Sequence, residues 1–311
     1  MKAKQLLTCL LAGVTLLAAP LTATADGLLV GESAFTPAQW SELTSAITTA
    51  RQNTPRAFTT FDKLRADLRL LDAEKRGPFA PMTRYLRGLG PDGLMPMLEA
   101  IAVQALSVDG LPASAGIAFE TGLLEAVGEL GDSRATPVLQ AVLKSRQITD
   151  YRRVTAATRG LGGVCDDASA QLLIGLASGA GAKRDPVLAG MGICRRADVA
   201  ETLVGALQRG LDPSTVNTVF RALSDIGNSW VWQARKMNGE GVRSVVARGL
   251  VTSFAALDGH AQRQAEKAIM VVDYDGTPAL IAVAIATTTG TVRADLERLN
   301  ERFSRNPVRG R

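Results

Sequence analysis

Apolar residues recur along the chain at intervals of three and four, in blocks that each close on a hydrophobic residue followed by a turn former. The closures are Leu89-Gly90, Leu130-Gly131, Leu161-Gly162, Met191-Gly192 and Ile226-Gly227, with Val272-Asp273 taking the same place last. Their spacings of 41, 31, 30, 35 and 46 residues imply a repeated unit of about 30 residues that carries insertions. A polar turn and a second apolar stretch follow most closures, at residues 94–106, 137–143, 170–177, 199–207 and 278–286. Within the second of these, Val138, Leu139, Val142 and Leu143 fall on one face of a 3.6-residue helix. Glycine after the first helix supplies the left-handed backbone that ends it. Pro96, Pro137 and Pro278 stand where the next helix opens and a missing N–H costs nothing. The unit therefore reads helix, tight turn, helix, and since one such pair leaves its apolar face uncovered, successive units must stack.

The chain ahead of the units predicts a cap over residues 26–77. Phe35-Thr36-Pro37-Ala38-Gln39-Trp40 has the signature of a helix start: Thr36 caps, Gln39 returns the bond, Pro37 takes the first helical position and Phe35 packs on Trp40. A further helix is expected over residues 58–76. The units span residues 78–288, and a last helix with Val292, Leu296, Leu299 and Phe303 on one side is expected within residues 289–311, ending in a basic tail.

The stretch EAVGELGDSRATPVLQAVLKS, residues 125–145, resembles a short HEAT repeat of the kind also found in phycobilin lyases. The likeness extends less closely over residues 78–286. It implies an all-α chain built as a right-handed α-solenoid of about six helix pairs, and it implies a scaffold or protein-binding surface. One branch of the family consists of pigment-attaching enzymes, which supplies a competing reading as a lyase.

Aligned on their alanines, Asp132-Ser133-Arg134-Ala135, Cys165-Asp166-Asp167-Ala168 and Cys194-Arg195-Arg196-Ala197 are one turn in three consecutive units. Neighbouring helices stand ~8 to 10 Å apart and a disulfide needs alpha carbons within about 7 Å, a gap that turns are able to close. A Cys165–Cys194 bridge is expected, against the alternatives of two buried thiols or metal ligands. Across the same junction Asp166 and Asp167 are expected to face Arg195 and Arg196, fixing register more than stability.

The first residues change where this chemistry is placed. Lys2 and Lys4, an apolar run from Leu6 to Ala19, Pro20 and Ala23-Thr24-Ala25 follow the plan of a secretory signal peptide, residues 1–25, with cleavage after Ala25. The run is shorter than the ~20 residues that cross a bilayer. An exported protein, periplasmic or extracellular, is expected. Without the leader the net charge falls from +5 to +3, and the six arginines from Arg293 onward account for that excess. The basic balance is thus a property of the tail, which argues against a nucleic-acid partner. Arg305, Arg309 and Arg311 instead suggest peripheral contact with an anionic membrane surface, the basis of a third reading as a structural envelope protein.

Motifs for catalysis are sparse. Gly88-Leu89-Gly90-Pro91-Asp92-Gly93 matches GxGxxG but follows a helical stretch instead of a strand. Asp273-Tyr274-Asp275-Gly276 begins like a calcium loop and lacks the later acidic ligands. His260 is the single histidine, and neither GxSxG nor HExxH occurs. No cofactor and no metal are expected. The segment NSWVWQARKMNGE, residues 228–240, reads as an insertion, and Trp230, Trp232 and Arg235 are the candidate partner-binding residues because tryptophan and arginine are enriched at binding hot spots. The alternative is that both tryptophans fold back into a gap in the core. A second, weaker insertion spans residues 107–115. The expectation is an exported, non-catalytic scaffold with an unidentified protein partner.

Overall fold

The computed structural model describes residues 27–104 and 110–306. The leader, Arg309, Arg311 and the start of the weaker insertion lie outside them. Among the described residues the chain is helical throughout, with no strand.

Three helices lead: α1 (Pro37–Asn53), α2 (Pro55–Ala66) and α3 (Leu68–Ala73). Thr36 accepts from the Gln39 amide while the Gln39 side chain accepts from the Thr36 amide, and the Phe35 and Trp40 rings stand 5.6 Å apart, as the sequence predicts. The single helix expected over 58–76 is instead two, broken at Asp67, where φ −83° and ψ 0° depart from the helix. The break lets Leu68 join Phe58 and Phe61 in the core.

Helices then come in pairs joined by tight turns: α4 (Met82–Arg87) and α5 (Leu94–Ala102), α6 (Ala113–Glu129) and α7 (Thr136–Lys144), α8 (Tyr151–Val164) and α9 (Asp167–Ser178), α10 (Arg184–Gly190) and α11 (Ala197–Gln208). A longer step has α12 (Pro213–Gly227), the short α13 (Ser229–Ala234) and α14 (Glu240–Ala255), followed by α15 (Gly259–Val272), α16 (Thr277–Ala286) and α17 (Gly290–Ser304). Contacts link alternate helices. α4 packs on α6, α6 on α8, α8 on α10, α10 on α12 and α12 on α15. The second members do the same, α5 with α7, α7 with α9, α9 with α11, α11 with α14 and α14 with α16. One continuous cluster of buried side chains runs between the two series, from Val30 to Phe303. Leu296, Leu299 and Phe303 bury the inner side of α17, with Val292 packed beside them.

The glycines at the closures divide into two physical roles. Gly90 and Gly131 adopt φ 68° and end their helices as expected. In the third unit α8 runs past Gly162, and Cys165 takes the left-handed turn at φ 53°. In the fourth, Met191-Gly192 lies in a 3-10 turn, and in the fifth Gly227 is the last residue of α12. Gly162 and Gly192 serve close packing instead: a Cβ on Gly162 would stand 3.2 Å from the Cys194 amide nitrogen, and one on Gly192 would overlap the Ala222 carbonyl.

The chain enters the fold through a stretch that seals α5. The amides of Leu28, Leu29 and Val30 donate to the carbonyls of Ala100 and Ile101 at 3.0 to 3.2 Å, filling acceptors that a helix end leaves open. Gly27 passes so close to Ala102 that a Cβ there would overlap its backbone.

Candidate functional site

The turns that join α8 to α9 and α10 to α11 lie side by side. Cys165 and Cys194 face each other with alpha carbons 5.2 Å apart and their sulfurs at bonding distance, as the aligned turns predict. Cys194 is fully buried, and its amide presses on Gly162, so the cross-link sits on a backbone that already has little freedom.

The charge pairing across this junction forms by half. Arg196 Nη1 reaches Asp167 Oδ1 at 2.6 Å and its Nε reaches Asp198 Oδ1 at 3.2 Å. Asp166 does not meet Arg195. Its carboxylate accepts from the Ser169 amide at 2.7 Å, capping α9, and from Thr136 Oγ1 at 2.9 Å. Burial pushes the Asp166 carboxyl upward, but these hydrogen bonds and the Arg196 charge outweigh it and hold the group below its ordinary value. An N-cap residue is committed to its own helix, which is why it is lost to the arginine.

Arg195 turns instead toward the next junction. It donates to the carbonyls of Ile193 at 3.2 Å and Asp225 at 3.4 Å, and its buried Nε finds no hydrogen-bond partner among the described residues. Burial and the like charge of Arg235 hold its guanidinium below the usual value, against the attraction of Asp225. Burial raises the Asp225 carboxyl, opposed by Arg159 and Arg195. Arg159 in turn pairs with Glu125 at 3.0 Å, and Glu125 accepts from Thr83 Oγ1 at 2.8 Å. A row of polar and charged groups thus runs from Thr83 on α4 through Glu125, Arg159, Asp225 and Arg195 and ends near Arg235. Sequence reasoning missed this row because its members sit about 30 to 40 residues apart. Nor does the repeat spacing align them, since Glu125 stands five residues before its closure, Arg159 two before and Arg195 four after.

The segment from 228 to 240, read from the sequence as an insertion, is ordered around the helix α13. Asn228 caps it by accepting from the Val231 amide at 3.2 Å. Trp232 is 5% exposed and its Nε1 donates to the Ile226 carbonyl at 2.8 Å, satisfying a carbonyl in the last turn of α12. Gly239 lies against its ring, so tightly that a Cβ would stand 2.5 Å away. Trp232 therefore belongs to the core. Trp230 points the other way and is 70% exposed, more than any other large hydrophobic side chain described. Ser229 Oγ donates to Val271 O at 3.3 Å and ties this end of α13 to α15, whose Val271 is also exposed. Arg235 follows at the end of α13, exposed and without an ion pair among the described residues. The segment splits the three candidates into an anchor, Trp232, and two residues presented outward, Trp230 and Arg235.

The remaining sequence candidates resolve into turns. Gly90 opens a 3-10 turn between α4 and α5. Asp273 takes φ 43° at the end of α15, Tyr274 Oη donates to Glu240 at 2.7 Å, and no group of three or more potential metal-ligating side chains occurs among the described residues. His260 is exposed in the first turn of α15. Arg305 pairs with Glu301 on its own helix. No described helix is long and apolar enough to cross a membrane. A groove of about 540 Å³ that the sequence did not reveal lies between α1 and the start of α5, lined by Glu42, Thr49, Asn53, Asp92, Met95 and Arg134.

No protein-family model matches the chain, and no curated protein matches it.

Proposed function

We propose that this protein is an exported, non-catalytic binding module: a right-handed α-solenoid of HEAT-like helix pairs that presents α13 to a protein partner. The order of contacts, with each helix touching the next member of its own series, supports the solenoid reading. The Cys165–Cys194 pair supports an oxidising compartment. The observation that carries the binding reading is the opposite fate of two tryptophans on one short helix. Trp232 is spent on holding α13 in place, and Trp230 is left 70% exposed on a support made rigid by that anchor. A large aromatic on a fixed helix loses little freedom on binding, which is what a hot spot requires.

The test is affinity capture from an envelope extract of the producing cell with the wild-type chain and with Trp230→Ala. The expected result is one protein retained by the wild type and lost from the variant, with an unchanged melting curve. Identical retention by both chains overturns the reading.

A further inference from the structure

Helix α1 borders its groove with short side chains. Leu43 and Ile47 are the only residues of this helix that are buried. Beside them Glu42, Ala46, Thr49 and Asn53, at i, i+4, i+7 and i+11, form one stripe along the helix. Alanine and threonine do not reach the facing turns, and the groove of about 540 Å³ is the space they leave. It runs on into a second hollow of about 180 Å³, which shares Glu42, Ala46, Met95 and Arg134 with the first. The walls of that hollow include the buried Leu43, Leu98 and Val138.

The charges on these walls do not balance. Glu42 stands on α1 and Asp92 on the turn between α4 and α5, so the two carboxylates line the groove from different elements. Both are exposed, and neither has an ion pair among the described residues. Arg134 is the one cation among the described residues that line either hollow. It is held by Asp132, which accepts from its Nε at 2.9 Å and from its Nη2 at 2.6 Å.

We propose that this groove is a second docking surface, for a basic and partly apolar segment of a protein, whose lysine or arginine heads lie beside Glu42 and Asp92. The occupant follows from charge and from length. A cleft lined by carboxylates draws in cations and repels acidic segments. Long basic side chains lay their stems on apolar surface and keep their heads in water, which suits Ala46, Ala50 and Met95 below the two carboxylates. From Gln39 to Asn53 the lining of α1 extends over roughly 21 Å. That is the reach of about six residues of extended chain, more than a single small cation fills. The walls are set beforehand, since α1 is capped at Thr36 and packs on α2 and α5. None of them belongs to α13, so the surface is independent of Trp230.

Fluorescence anisotropy of the chain purified after export, with the labelled peptide Lys-Leu-Ala-Lys-Leu-Ala, tests it. Saturable binding is expected with a Kd below ~100 µM, weakening as salt rises. Glu42→Gln combined with Asp92→Asn should weaken it at least ~10-fold with an unchanged melting curve, whereas Trp230→Ala should bind as the wild type does. The same peptide with glutamate in place of lysine should not bind. Absence of saturable binding overturns the proposal. So does equal affinity for the glutamate peptide, or a double variant that binds like the wild type. Spermine binding as tightly as the peptide would make the groove a small-cation site instead, and loss on Trp230→Ala would assign the peptide to α13; either result overturns it.

Discussion

Gly128 of α6 and Gly160 of α8 meet backbone to backbone: a Cβ on Gly128 would overlap the Gly160 carbonyl, and one on Gly160 would overlap the carbonyl of Leu124. Gly163 makes the same approach to Gly128 one turn later. The two helices ride closer than side chains permit, and neither backbone is able to give way without moving a whole helix. Gly160→Ala should cost about 1 to 3 kcal/mol as an overpacked core position. Gly116→Ala, in the same α6 but facing open space, should stabilise by roughly 0.4 to 1 kcal/mol. Urea unfolding midpoints of the two variants check this, and equal effects would remove the close-crossing argument.

The Cys165–Cys194 bridge closes a loop of 29 residues. Loop-entropy arithmetic gives about 3 to 4 kcal/mol for that length. Cys165→Ser combined with Cys194→Ala should lower the unfolding free energy by that order, and peptide mass mapping without reductant should recover the two cysteines in one linked fragment. Free thiols in the protein recovered after export would refute the pairing.

Exposure separates the two tryptophans energetically. Trp232→Ala removes a buried ring and its bond to Ile226, for an expected loss of about 3 to 5 kcal/mol. Trp230→Ala should stay within ~0.5 kcal/mol of wild type, as surface positions do. Thermal melts of both variants decide it, and a large loss for Trp230→Ala would return that residue to the core.

Several carboxylates are held low in the fold, and two in the turns contribute to the acid limit alongside Asp72 and Asp212. Hydrogen bonds from Arg134 outweigh burial at Asp132, and those from Ser169 and Thr136 outweigh burial at Asp166, so both groups sit below the ordinary value of 3.8. A carboxyl depressed in the folded state contributes stability above its unfolded pKa and loses it as pH falls through the folded one. Stability should therefore decline from about pH 4 downward. Asp166→Asn keeps the capping oxygen but does not titrate, and should flatten part of that decline. Melting temperatures between pH 2 and 6 measure it, and a slope unchanged in the variant would exclude Asp166 from the effect.

Much of the helical order was legible because it rests on local chemistry. The capping box at Thr36 and Gln39, the prolines at Pro137 and Pro278 in first turns, and the apolar face of α17 each follow from residues a few positions apart. The cysteine pair was legible for another reason: the repeat brings position 165 beside 194 without any need to know the side-chain packing. What failed depends on competition among neighbours. Asp166 had two uses, as cap and as ion-pair partner, and the amide donors next to it prevailed. Trp230 and Trp232 differ by about half a helical turn, and an insertion with no assigned helix has no phase from which to choose between them. The groove beside α1 depends on how the leading helices dock, which no periodicity encodes.

The seal on α5 imposes an order of events on synthesis. Leu28 waits for Ala100, 72 residues further along, and at ~5 to 20 residues per second that takes roughly 4 to 14 s. Throughout that interval residues 28–30 have no carbonyls to pair with, and only when residues 94–102 have wound does Gly27 come against Ala102. The entry of the chain is thereby among the later parts of this end to take its place, although it stands first in the sequence.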